Sequence, residues 1–272
     1  MERYTDQSYL KKIQYNNGRN LNARINLHQK YSTNKYGFHK WLFDQYRITQ
    51  SSKILEVGCG TGELWIQNQN RIPLVSKIIL SDFSTGMLNK AKENLLTVLP
   101  ESTEFLELDV QNMPFEDGSF DIIIANHMLY HIPDISKAIR EIQRVLIDRG
   151  IFYCVTNGKD HMMELQYLIK EFEPNYDFSQ YKNISFTLEN AKPYLEDIFK
   201  YSIINYEDSL NVTNVDDLLA YINSMQNSYL NETIFQNQNK IIEFKNYLQT
   251  KLDQKGSIFI SKSSGLIIAT KN

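Results

Sequence analysis

Short apolar runs alternate with longer amphipathic stretches through the middle of the chain. Residues 54–57, 77–81, 104–108, 120–125 and 150–156 read as strands, and 63–70, 85–96 and 135–146 between them read as helices. The strands are continuous apolar runs rather than alternating ones, as strands buried on both faces require. Strand–helix alternation of this kind predicts an α/β fold, a Rossmann-like doubly wound parallel sheet.

The flanks differ. Residues 1–47 look helical, with Leu21 and Ile25 four apart, Phe38 and Leu42 likewise, and Trp41 beside them. Beyond residue 157, helices are expected at 161–171, 188–199, 215–225 and 231–253, with a strand at 201–206. Residues 257–261 and 265–270 suggest a closing hairpin. The expected organisation is an N-terminal helical cap (1–47), a core (48–206 plus 257–272) and a helical lid insertion (207–256).

Composition removes several classes. The net charge is −3 with no block of five like charges, which argues against a nucleic-acid partner. Cys59 and Cys154 are the only cysteines, so no disulfide framework is expected. The first residues carry no apolar leader, and the longest apolar runs fall far short of the ~20 residues of a membrane span. A cytoplasmic protein with no membrane partner is expected; the oligomeric state is unreadable.

The chemistry begins at Glu56-Val57-Gly58-Cys59-Gly60-Thr61-Gly62, between a strand and a helix. Glycines there let the backbone approach a ligand, and any nucleotide-like ligand fits. The spacing is Gly-x-Gly-x-Gly, whereas the dinucleotide fingerprint needs a glycine at position 63, which is Glu63. Asp82 ends the next strand, where a carboxylate can accept two ribose hydroxyls. Asp109-Val110 ends the third, where an acceptor can meet an adenine amino group. All lie at carboxyl ends of parallel strands, the ligand side of open α/β sheets.

The stretches ILEVGCGTG, IILSDFSTGMLNKAKENL, LDVQNMPFEDGSFDIIIANHMLYHI and AIREIQRVLIDRGIFYCVT, in this order, resemble class I S-adenosylmethionine-dependent methyltransferases, especially the small-molecule type that includes the ubiquinone/menaquinone methyltransferases. The resemblance implies a seven-stranded, mostly parallel sheet with an antiparallel closing strand. It implies S-adenosylmethionine as cofactor, S-adenosylhomocysteine as product and a small-molecule acceptor. Gly58, Gly60 and Gly62, with Cys59 and Thr61 between them, would border the methionine part, and Glu56 would orient the loop. Asp82 would hold the ribose; Phe83 and Met87 would pack beside the adenine; Asp109 and Val110 would read its edge. Asn126 would lie near the methionine carboxylate or the sulfonium.

Plainer readings stand beside these. Asp82 also reads as a helix cap, Asp109 as a turn residue, Glu56 as a buried hydrogen-bonding group, and Phe83 with Met87 as core. Arg24, His28 and Tyr31 share a helix face, either closing over the cofactor, with Arg24 at its carboxylate and Tyr31 near the methyl group, or solvated. His127 and His131 are candidate general bases or structural residues, and no metal site is expected. Methyl transfer from a sulfonium needs alignment more than a catalytic triad. The Asn/Asp-Pro-Pro-aromatic motif of amino-group DNA methyltransferases is missing after the fourth strand, where the chain reads Ala125-Asn126-His127-Met128-Leu129. The rival readings are a catalytically silent cofactor-binding regulator and a related transferase such as an aminopropyl transferase.

Overall fold

The sheet is built from the apolar runs. A computed structural model describes residues 5–11, 19–73, 77–178, 184–225 and 230–272. Strands β1 (Lys53–Val57), β2 (Lys77–Asp82), β3 (Glu104–Glu107), β4 (Phe120–Asn126) and β5 (Leu146–Asn157) all pair in parallel. Later come β6 (Phe199–Tyr206), β7 (Ser209–Val212), β8 (Ile258–Ser261) and β9 (Ser264–Lys271). The seven-stranded order is β3-β2-β1-β4-β5-β9-β6, with β9 antiparallel to both neighbours. The expected Rossmann-like, mostly parallel sheet with an antiparallel strand is present.

Side chains on the two faces enter separate cores because strand residues alternate in direction. Leu55, Ile123 and Phe152 pack on one face against helix α5 (Ile135–Val145), whose Ile135, Ile139 and Ile142 are spaced for one stripe. Ile54, Ile124 and Tyr153 pack on the other face with Leu64 and Trp65. In chain order the other described α-helices of four or more residues are α1 (Arg19–Tyr31), α2 (Phe38–Gln45), α3 (Glu63–Ile66), α4 (Thr85–Leu95), α6 (Met163–Phe172), α7 (Lys192–Leu195), α8 (Val215–Ser224) and α9 (Gln238–Lys255). Asp134 caps α5 by accepting Lys137 N–H at 2.8 Å, and Ser84 caps α4.

Two expectations need correction. The hairpin over 257–261 and 265–270 does not form: β8 pairs with β7 in a separate two-stranded sheet, while β9 enters the main sheet. The burial pattern explains the split. Ile258 and Ile260 are buried while Phe259 is exposed, a strand with one dry face, whereas Gly265 to Ile267 are buried in succession, as a central strand demands. The helix expected over 188–199 shrinks to α7, and residue 199 onward is already strand β6.

A third core lies over the cleft. It joins Leu27 of α1, Leu165 and Ile169 of α6, Leu210 of β7, Leu218 and Ile222 of α8, Phe244 of α9 and Ile260 of β8. The N-terminal helix and the 207–256 segment therefore share one apolar cluster, and a strand runs within that segment. Beneath it, β1 and β4 are adjacent while the chain steps from one to β2 and from the other to β5; this switch point opens a crevice at the strands' carboxyl ends. Among the described residues no helix is long and apolar enough to cross a membrane.

Candidate functional site

After β1 the backbone turns three times through the left-handed region, at Gly58 (φ 71°), Gly60 (φ 57°) and Gly62 (φ 83°). A Cβ on Gly58 would stand 2.9 Å from Met128 Cβ, and one on Gly62 would stand 2.5 Å from Leu95. One on Gly60 would meet only Leu21, at 3.4 Å, so the space above Gly60 faces the crevice. Gly58, Cys59, Gly60 and Thr61 line the cavity there; Gly62 does not, and serves the packing of α3 on α4.

Two carboxylates brace this loop. Asp82 accepts Gly60 N–H at 2.9 Å on one oxygen and Ser84 N–H at 2.8 Å on the other. A carboxylate offers about four acceptor positions, so about two remain toward the crevice. Burial pushes the Asp82 pKa up to about 6, against the lowering effect of those two N–H groups. Glu56 is buried and accepts the Trp65 indole N–H at 2.6 Å. Burial raises its pKa to about 7, opposed by Trp65 and Asn126 and reinforced by Asp82.

Phe83, Met87, Asp109 and Val110 line the same cavity beside Asp82. Asp109 accepts Gln111 N–H at 2.9 Å, a turn that fixes its carboxylate at the strand end. From the N-terminal segment, Lys11 pairs with Glu107 and sits 5.2 Å over the Phe83 ring. Nothing in the pattern of residues 1–47 pointed to Lys11.

Asn126 ends β4 and accepts the Tyr46 hydroxyl at 3.1 Å. His127 follows in the left-handed region, φ 54°, a conformation costing a non-glycine residue on the order of 1–3 kcal/mol. Its ring lies 5.5 Å from Phe38. His131 also lines the cavity, next to Tyr130. Of the α1 stripe, Arg24 and His28 line the cavity, with Arg24 donating to Ser224 O at 2.8 Å. Tyr31 does not; its hydroxyl donates to Asp217 of α8 at 2.6 Å, away from the place expected for it near the methyl group. Helical spacing put the three on a common face, but Tyr31 lies at the edge of that face.

Sequence reasoning missed the convergence of histidines. All five histidines of the chain, His28, His39, His127, His131 and His161, line one cavity. They come from α1, α2, the β4 exit and the approach to α6, separations that no local pattern reveals. It also missed the buried Lys262–Asp208 pair at 2.5 Å. Asp208 follows β6 and Lys262 follows β8, and only the β7–β8 pairing brings them together.

The cavity encloses about 1100 Å³. Single-ligand sites typically span roughly 300–1,000 Å³, so this one has room for two molecules in contact. Among the described residues no group of three His, Cys, Asp or Glu side chains is arranged to hold a metal ion.

Comparison with known proteins agrees with this geometry. Residues 55–154 match the methyltransferase domain family. The demethylmenaquinone methyltransferase of Lactococcus lactis is 29% identical over 154 residues, 57% of this chain and 55% of that protein. That of Staphylococcus aureus strain JH9 is 32% identical over 112 residues, 41% of this chain and 46% of that protein. The chain thus spans about half the length of the curated relatives it matches. Among solved structures, a putative methyltransferase from Bacillus halodurans superposes with a TM-score of 0.57 at 15% identity, covering 86% of this chain and 98% of that one. Phosphoethanolamine N-methyltransferase 2 of Haemonchus contortus, complexed with S-adenosylhomocysteine, also gives 0.57, at 16% identity, covering 98% of this chain and 60% of that one. At such identities the two structures speak for the fold.

Proposed function

From the premise that this chain carries a class I S-adenosylmethionine-dependent methyltransferase domain, we propose that the protein transfers a methyl group from S-adenosylmethionine to a small-molecule acceptor, in the cytoplasm. The observation that carries the reading is the single cavity into which both the strand-end acids and the lid core open, large enough for cofactor and acceptor side by side.

The residues fit the cofactor. Gly60 leaves open space for the methionine part, beside Gly58 where the loop packs against Met128, with Glu56 behind the loop and Asn126 at its flank. Asp82 keeps acceptor positions for the ribose hydroxyls. Phe83, Met87 and Val110 are apolar walls for the adenine, with Asp109 at its edge. When bound, S-adenosylmethionine supplies a methyl group already activated by the sulfonium charge. The protein's part is to hold an acceptor atom ~3–3.5 Å from that carbon and in line with it. The lid core excludes water, and His127 or His131 takes a proton where the acceptor has one to lose. The likeness to demethylmenaquinone methyltransferases supports a small-molecule acceptor.

Incubating the protein with methyl-labelled S-adenosylmethionine and a metabolite extract tests the proposal. Label in a small product is expected. Binding without turnover, or transfer of another part of the cofactor, would overturn it.

A further inference from the structure

The lid side of the cavity has a chemistry of its own. His28, His39, His127 and His161 line it from four separate elements, and Lys262 reaches it from the loop between β8 and β9. The histidines are mutually coupled. His127 is opposed as a cation by His161, Lys262 and His39; His28 by Lys262, His161, His127 and Arg24; His161 by Lys262. Lys262 opposes protonation of all four. Burial is the first cause in each case and holds the imidazoles neutral, His127 at about 3 and His39 and His161 at about 4.

The acid facing His161 is fully engaged. Asp208 accepts Lys262 at 2.5 Å, the Ser32 hydroxyl at 2.7 Å, Ser209 N–H at 2.8 Å and Asn34 N–H at 3.0 Å. Glu63, the acid facing His39, accepts the side chains of Gln29 at 3.0 Å and Gln67 at 2.8 Å. An ammonium group entering beside His28, His127 and His161 would meet Lys262 and Arg24 and find Asp208 bonded on both oxygens, while Glu63, bonded on one oxygen, lies beside His39. An anion would meet imidazole donors, and His28 Nδ1 is buried with no partner. The surrounding wall is apolar, from Phe38, Met162, Tyr221 and Met225.

We propose that this histidine-lined wall is the acceptor's recognition subsite and that it takes an anionic oxygen group, such as a carboxylate, carried on an apolar body. The inference rests on the methyltransferase reading and deepens it by naming the acceptor's class. His28 and His161 bind the anion, with Lys262 behind them. A negative charge here favours the protonated imidazole, so the anion enters with a proton taken up from solvent, and its affinity rises as pH falls.

The test uses the full chain loaded with S-adenosylhomocysteine and a matched pair of probes, phenylacetate and phenethylammonium, titrated by calorimetry in two buffers of different ionisation heat. Phenylacetate is expected to bind at least about tenfold tighter near pH 6.5, with net proton uptake and an advantage that shrinks toward pH 8. His161→Gln is expected to cut the preference while leaving S-adenosylhomocysteine affinity unchanged, which also reports that the variant is folded. Equal or tighter binding of the ammonium, binding of neither probe, or an anion preference without proton uptake would overturn the inference. If S-adenosylhomocysteine fails to bind, the cofactor reading falls. The matched pair is then run on the unloaded chain, and the same outcomes decide the inference.

Discussion

The two ends of the cavity are built with opposite charge logic. At the strand ends, buried Glu56 and half-buried Asp82 have pKa values raised to about 7 and about 6. At the lid side, half-buried histidines that line the cavity have theirs lowered to about 3 or 4. Desolvation disfavours the charged form in both places, yet leaves one end ready to lose protons and the other ready to gain them. A cation therefore charges the first end and an anion the second. The construction differs as well. The acid end comes from the ends of paired neighbouring strands, with Asp82 braced by backbone N–H groups, whereas the lid end is assembled from distant segments.

The largest expected effect breaks the acid end alone. Gly60→Val forces a branched residue to φ 57° and places its side chain in the crevice. Cofactor affinity should fall by roughly 100-fold or more, about 2.8 kcal/mol, with an unchanged circular dichroism spectrum; retained tight binding would mean the cradle lies elsewhere. Asp82→Ala comes next. It removes the acceptors for Gly60 and Ser84 N–H as well as those proposed for the ribose. Calorimetry should show a loss of roughly 1.5–3 kcal/mol in cofactor binding, the range for hydrogen bonds to a charged group.

The lid end should answer to acid. Its histidines have folded-state pKa values below their ordinary 6.5, so the unfolded chain takes up protons first. Their contribution to stability is present above about pH 6.5 and is lost as pH falls toward their folded values. The loss should be on the order of 1 kcal/mol per histidine by pH 5.5. Glu56 and Asp82 act in the opposite sense, since their folded values are raised and protonation favours the folded chain. Urea midpoints at pH 7.5 and 5.5 should therefore converge in His161→Gln relative to the parent; an unaltered gap would remove the histidines from the account. The smallest effect separates the ends most cleanly. Tyr31→Phe deletes one bond to the partly exposed Asp217, which keeps Lys30 and Asn26, and should cost only about 0.5–1.5 kcal/mol of stability, leaving cofactor affinity as it was.

This division also explains what was legible beforehand. The parallel strands, the glycine loop and Asp82 are local: each announces itself by apolar run, spacing or position after a strand. The lid end is not local. His161 and Lys262 meet only because β8 leaves the main sheet to pair with β7, and the apolar pattern of 257–270 suggested a plain hairpin instead. Tyr31 shows the same limit on a smaller scale. Its helical spacing was right, but an edge position and one carboxylate, Asp217, decided where its hydroxyl points. Gly62 looked like its two neighbours in the loop, and only Leu95, from α4, reveals that it packs rather than faces the crevice.

The most direct measurement is calorimetric titration of S-adenosylmethionine in two buffers of different ionisation heat near pH 6.5. Here Glu56 and Asp82, with values of about 7 and about 6, are partly protonated. The expectation is binding with net proton release, affinity that rises toward pH 8, and a smaller release in Glu56→Gln. Absence of binding, or binding with proton uptake, would contradict it.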